Sequence, residues 1–175
     1  KTAYEIRNCD WSSDVCSSDL TTIAGAVVLP ALDRVYSAHL GGGATRNDRP
    51  ISVSSVDQIN LALVGTGFGY SPELRSRQAG TVARLIGEVR DIRRTGSAAV
   101  DLCLLSDGSL DVYYEEHLNE WDVAAGLLIA AEAGATVSDL AGAPAHPGSV
   151  LACSPGVHDR MLDLLVRARG IPSDG

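Results

Sequence analysis

The chain has 175 residues, 45% of them hydrophobic and 21% charged, and a formal net charge of −8. That length suits one packed domain or part of a larger one, and the acidic balance argues against general nucleic-acid or anionic-membrane binding, which need a basic face. No apolar run reaches the roughly 18 residues of a membrane-spanning helix, and the N-terminus lacks the basic-then-apolar order of a secretory signal.

Residues 1–20, KTAYEIRNCDWSSDVCSSDL, are Ser/Asp-rich and show no apolar period. They read as a disordered or non-native leader, similar to adapter-derived sequence at the ends of translated metagenomic fragments. From Thr21 the pattern becomes orderly. TTIAGAVVLP is β-branched and apolar and predicts a buried strand, and DRVYSAHL a second. GGGATRNDRPISVS predicts a hairpin, with Asn47-Asp48 tolerating the positive φ of a tight turn. NLALVGTGF predicts another buried strand, its glycines opening a strand-to-helix loop.

SPELRSRQAGTVARLIGEV predicts a helix, with Ser71 as cap, Pro72 in the first turn and Glu73 at the positive end of the dipole. Leu74, Val82, Leu85 and Ile86 would form its apolar stripe. VRDIRR predicts a short strand, GSAAVDLCLLSDG an apolar helix, and LDVYYEE a strand. EWDVAAGLLIAAEAG predicts a helix apolar nearly all round, hence buried. ATVSDL and SVLACSP predict strands, and GVHDRMLDLLVRARG an amphipathic closing helix. Alternating strands and helices define an α/β class, a layered sandwich with a central mixed sheet and flanking helices.

The cysteines are Cys9, Cys16, Cys103 and Cys153, with no C-x-x-C pair and no histidine at zinc-ligand spacing. Cys103 and Cys153 lie in apolar runs and read as buried thiols, which points to a reducing, cytoplasmic setting.

Three features carry chemistry. Asp122 stands at the mouth of the buried helix, where it caps the helix or holds a cation; a hard ion such as Mg²⁺ suits a carboxylate there. Gly96, Ser97 and Ala98 stand where a strand turns into a helix, so their N–H groups can meet anions or hydroxyl oxygens, a routine capped turn being the plainer alternative. Glu115 ends a strand seven residues before Asp122 and borders the same cleft, or else is loop charge with Glu116 and Glu120. Arg90, Arg93 and Arg94 can reach a phosphate or line a solvated strand edge. Gly41-Gly42-Gly43 lacks a phosphate-loop ending, GTGFGY lacks the dinucleotide spacing, and no G-x-S-x-G supports a serine hydrolase.

EWDVAAGLLIAAEAGATVSDLAG resembles the second signature of the inositol monophosphatase family: W-D, small residues, an aliphatic run, then E-A-G. GSAAVDLCLLSDGSLDVYYE before it, and GGGATRNDRPISVS further upstream, are similar to the family in type, spacing and order, with Asp48 replacing the usual turn glycine. The likeness spans residues 21 to 169 and implies a carbohydrate-phosphatase-like fold, with residues 21–170 as the C-terminal portion and 171–175 as a tail. It implies a Mg²⁺-dependent phosphoric monoester hydrolase acting on a small phosphorylated polyol. Asp122 becomes a metal ligand, Gly96, Ser97 and Ala98 the backbone that meets substrate oxygens, and Glu115 the acceptor for inositol hydroxyls. Homodimers are common in the family, and the resemblance carries that expectation.

The family's first signature, D-P-x-D-G-T, and its upstream glutamate do not occur in this sequence. The expectation is therefore a truncated enzyme, inactive as it stands, with no catalytic residue assignable and Asp122 the only assignable metal ligand. Histidinol phosphate, a sugar bisphosphate or a nucleotide phosphate are alternative substrates. A non-catalytic binding module on the same fold is the alternative of another class.

Overall fold

A computed structural model describes residues 12–18 and 21–170. The first sheet is an antiparallel meander of β1 (Ser12–Ser18), β2 (Thr21–Leu29), β3 (Arg34–His39), β4 (Ala44–Arg46) and β5 (Arg49–Ile51). Alternation in β2 turns Gly25, Val27 and Leu29 inward, and β3 adds Tyr36 and Ala38 to the same face. The hairpin between β4 and β5 turns at Asn47 and Asp48, with φ of 49° and 61°. Two successive left-handed residues give the twist a two-residue hairpin needs, so Asp48 serves where glycine is usual.

The second sheet has the order β7 (Asp91–Arg93), β6 (Leu63–Thr66), β8 (Val112–Glu116), β10 (Ser149–Cys153), β9 (Thr136–Ser138). It is mixed: β6 runs parallel to β7 and β8, while β10 runs antiparallel to β8 and β9. The helices are α1 (Pro72–Leu85), α2 (Ala98–Ser106), α3 (Glu120–Glu132) and α4 (His158–Arg169).

Three apolar clusters define the layering. Val27, Leu29 and Tyr36 of the first sheet meet Cys103 of α2 and Ala125, Leu128 and Ile129 of α3. The opposite faces of those helices, through Leu102, Leu105, Val123 and Ala130, meet Tyr113, Val150 and Ala152 of the second sheet. Beyond that sheet, Val64, Val112 and Leu151 pack on Leu85 of α1 and Met161 and Leu165 of α4. The order is sheet, helix pair, sheet, helix pair. The mixed sheet flanked by helices is the expected α/β architecture, and the wholly antiparallel sheet forms a further layer outside it.

Small residues permit this stacking. A Cβ at Gly25 would lie 3.0 Å from Ala125 Cα, and one at Gly126 would lie 2.8 Å from Leu102 Cδ1. The first sheet therefore rests on the α3 backbone, and α2 rests on α3 at Gly126.

Some boundaries differ from the sequence expectation. Helix α1 ends at Leu85, so Ile86 leaves the apolar stripe for solvent and Thr81 joins Leu85 on the buried face. The strand expected from Asn60 begins at Leu63, after a short 3-10 turn over Ile59–Leu61. Within the leader, Ser12–Ser18 is a strand paired to β2 rather than a disordered segment. Backbone pairing to an open strand edge needs no apolar pattern, which is why composition missed it. Residues 1–11, 19–20 and 171–175 lie outside the described residues, and with them Cys9. Cys103 and Cys153 are buried free thiols, and burial pushes both thiols up.

Two carboxylates clasp the layers. Asp107, after α2, accepts from Tyr36 Oη at 2.7 Å and Arg46 at 2.6 Å, both on the first sheet, and from Ser109 Oγ at 2.6 Å. Burial opposes its charge, but the Ser109, Tyr36 and Arg46 bonds outweigh that and hold its pKa below the usual range. Glu132, ending α3, accepts from the Gly41 and Gly43 amides at 2.7 and 2.8 Å. The triple glycine is thus a docking loop for the end of α3, not a phosphate loop.

Removing Asp107 leaves the buried Tyr36 hydroxyl without its acceptor and unties the first sheet from α2. Asp107→Ala is expected to lower stability by about 2–3 kcal/mol in urea unfolding at pH 7, whereas Asp48→Gly at the hairpin changes it little.

Candidate functional site

The parallel strands β6, β7 and β8 end on one edge of the second sheet, and the chain leaves that edge into α1, α2 and α3. In open α/β sheets the carboxyl edge is where ligands bind, because loops and helix N-termini converge there. The expected site residues all fall on it: Gly96, Ser97 and Ala98 at the start of α2, Glu115 near the end of β8, and Asp122 in the first turn of α3.

Asp122 is not the N-cap itself. Asn119 holds that position, and Asp122 is the third helical residue of a capping box. Its Oδ2 accepts from the Asn119 backbone N–H at 2.9 Å and from Asn119 Nδ2 at 3.2 Å. Both bonds use one oxygen, which leaves Oδ1 to another donor or a cation. The preceding Trp121 is 67% exposed, so this end of α3 opens outward.

Glu115 is half-buried and accepts from Tyr113 Oη at 2.7 Å. Its carboxylate lies against Gly67, where an added Cβ would come within 2.1 Å of Oε1 and displace it. Burial raises the Glu115 pKa, the Tyr113 bond and Arg94 lower it, and Asp122 raises it again, so the three charged groups share one field. Arg94 also stacks over Phe68 with its guanidinium carbon 5.9 Å from the ring centroid.

The sequence reading missed Asp101. It is 1% exposed on α2, and its Oδ1 has no hydrogen-bond partner. Burial raises its pKa to about 7, opposed by hydrogen bonding to Thr95 and by the charge of Arg94, and reinforced by Glu115. One acid inside the apolar run AAVDLCLL was the same kind of signal that drew attention to Asp122. Asp101 stands in the first turn of α2, where a carboxylate suits the positive end of the helix dipole.

At the start of α2, Gly96 takes a φ of 93°, open to glycine, and Ser97 caps the helix by accepting from Val100 N–H at 3.4 Å. The Ser97 amide donates to Thr95 Oγ1 at 3.3 Å, while the Gly96 and Ala98 amides have no protein acceptor among the described residues. These free donors face the positive end of the helix dipole, an arrangement that takes an anionic oxygen.

One other arrangement looks catalytic by distance. Ser138 Oγ lies 2.9 Å from His158 Nε2, and His158 Nδ1 lies 3.0 Å from Asp159 Oδ1. Ser138 is buried and bonds the Asp139 carbonyl at 2.8 Å, so no substrate reaches it. The trio ties β9 to α4.

Among the described residues no group of three or more His, Cys, Asp and Glu side chains is placed to hold a metal ion. Asp122 Oδ1 is a hard oxygen that fits as one ligand of such an ion, and the described residues do not complete the shell.

A layered α/β fold with acids and open helix N-termini at the carboxyl edge of its parallel strands defines a class that handles small anionic or hydroxylated ligands. The chain belongs to the inositol monophosphatase family, whose sequence pattern matches residues 18–169. It is 46% identical over 157 residues to the inositol-1-monophosphatase SuhB of Mycobacterium tuberculosis, covering 86% of this chain and 53% of that protein. It is 45% identical over 159 residues to the inositol-1-monophosphatase of Mycobacterium leprae, covering 87% and 55%. The solved structure of Mycobacterium tuberculosis SuhB superposes with a TM-score of 0.83 at 44% identity, covering 93% of this chain and 66% of that one. The chain spans about half the length of the curated relatives it matches.

Asp101 and Glu115 both bind protons more tightly in the folded chain than in the unfolded one. Stability from these acids is fully present below about pH 4, the unfolded carboxyl range, and is lost as pH rises towards 7. Asp101→Asn is therefore expected to raise stability at pH 8 by on the order of 3 kcal/mol and to leave it unchanged at pH 4. Urea unfolding at both pH values checks this; equal effects at the two would contradict the raised pKa.

Proposed function

We propose that the complete protein hydrolyses a small phosphate monoester, with inositol monophosphate as substrate and Mg²⁺ as its ion. The observation that carries this is the meeting, on one sheet edge, of the Asp122 carboxylate, the free amides at the start of α2 and the Glu115 carboxylate. A phosphate ester needs all three kinds of group: a ligand for the charge-neutralising ion, donors for substrate oxygens, and an acceptor for the alcohol part.

The roles follow from the geometry. The capping box holds Asp122 rigid, so Oδ1 is presented without losing side-chain entropy on binding. The Gly96 and Ala98 amides donate to substrate oxygens. Glu115, fixed by Tyr113 and seated on Gly67, accepts from a polyol hydroxyl, which favours inositol over a nucleotide or histidinol. Asp101 is buried on α2 and does not reach solvent, so it takes no direct part in this reading. When bound, Mg²⁺ in such sites neutralises phosphate charge and lowers the pKa of water, so that water can act as nucleophile near neutral pH. The described residues offer one assigned ligand, and this reading expects the chain alone to be inactive.

The test is Mg²⁺-dependent phosphate release by a family-length protein that contains this chain. Inositol monophosphate is expected to be turned over with higher kcat/KM than histidinol phosphate, a sugar bisphosphate or a nucleotide phosphate. Glu115→Gln is expected to lower kcat/KM for inositol monophosphate by about tenfold, the worth of one charge-assisted hydrogen bond. Asp122→Asn is expected to cost roughly 100-fold and to raise the Mg²⁺ concentration required. If no small phosphate monoester is hydrolysed, the enzymatic reading fails and the binding-module alternative stands.

A further inference from the structure

The chain is acidic overall, yet 9 of its 14 Lys and Arg residues lie between Arg75 and Arg94 or in α4. Three of them line a hollow of about 500 Å³ on the far side of the second sheet, between α1, α4 and the end of β8. Arg77 and Arg84 are seven residues apart on α1, with Thr81 between them, so the three share one helix face. Arg169 enters from the end of α4. This hollow lies outside the groups assigned to phosphate-ester chemistry, and its volume is in the range of small-molecule pockets.

The donors are only partly engaged. Arg84 caps α4 by donating to the Ala168 carbonyl at 2.7 Å, and Arg169 pairs with Glu116 at 2.6 Å. Arg77 has no side-chain partner among the described residues, its carbonyl alone accepting from Thr81. A second, narrower hollow shares Gln78, Thr81, Glu116 and Arg169 with the first and is lined also by Tyr114 and, on the side of the candidate cleft, by Gly67 and Glu115. Tyr114 is 7% exposed, and its hydroxyl is buried without a hydrogen-bond partner. A buried hydroxyl left unpaired costs free energy that a ligand oxygen would recover.

We propose that the larger hollow is an anion site for a phosphorylated small molecule, adjoining the cleft at Glu115 through the narrower one. Guanidinium groups from two helices surround it, and guanidinium is the side chain best matched to phosphoryl oxygens. Gln78 adds a neutral donor, and Tyr114 lines the narrower hollow that adjoins it. Glu116 holds Arg169 in the absence of ligand and competes with the anion for it.

Calorimetric titration of this chain with inorganic pyrophosphate and, separately, with a nucleoside monophosphate tests the site. EDTA and low salt keep metal-dependent binding out and screening small. The expected result is one site per chain, weakened at least tenfold in Arg77→Ala and several-fold in Tyr114→Phe. Glu116→Gln is expected to tighten binding several-fold, because it releases Arg169. Arg77 is exposed and Tyr114 keeps its ring, so both variants are expected to melt as wild type does. Tighter binding of the nucleotide assigns the site to organic phosphates, and tighter binding of pyrophosphate to inorganic ones. No binding overturns the proposal. So does an equal loss in Arg49→Ala, at the distant hairpin, or in Arg94→Ala, beside the cleft.

Discussion

Helices α2 and α3 have almost no face left for solvent, because a sheet lies on each side of them, and the rest of the molecule depends on that confinement. A helix so placed cannot carry charge along its length without leaving it unpaired in the interior. It also cannot carry bulk where backbones approach, which is why Gly25 and Gly126 occupy the closest contacts. Polarity is therefore driven to the helix ends. Asp122 and Glu132 sit at the two ends of α3: Asp122 accepts from the amide of Asn119 at the helix entry, and Glu132 from the Gly41 and Gly43 amides of a neighbouring loop. One carboxylate locks the entry to the helix and the other docks the glycine loop.

The same confinement places the acids of the candidate site. The parallel strands end where these helices begin, so groups near those termini, or pressed against the strand ends, gather on one edge. Burial then raises Asp101 and Glu115, with the charge of Glu115 adding to the first and that of Asp122 to the second. Burial and neighbouring negative charge oppose ionisation of these acids, a cost that a cation or a hydroxyl donor beside them would reduce.

Most of the strands and helices were legible from alternation, apolar runs and caps, since each is a local pattern. Ser71, Ser97 and the Asn47-Asp48 turn do what their side chains dictate locally. The misreadings are non-local. Asp122 was read as the likeliest cap because it precedes the aliphatic run, yet Asn119 takes that place and Asp122 reaches back to it across one turn. Ile86 fits the apolar stripe by spacing but falls after the helix has ended. Asp101 gives no cap or turn signal in the sequence; its raised pKa comes from burial and from Glu115, which another element brings near it. Arg77, Arg84 and Arg169 share no sequence pattern, so their hollow exists only after α1 and α4 have packed. The separation of the antiparallel sheet from the mixed one also follows from which helix face each sheet covers, and strand patterns do not encode that.

If the buried helix pair is the constraint on which the other layers depend, its backbone should open only when the whole chain unfolds. Native-state hydrogen exchange measures this directly, residue by residue. The amides from Ala125 to Ala131 in α3 are expected to exchange at the rate of global unfolding, more slowly than those of α1 or α4. Exchange in α3 as fast as in α1, or faster, would contradict the account.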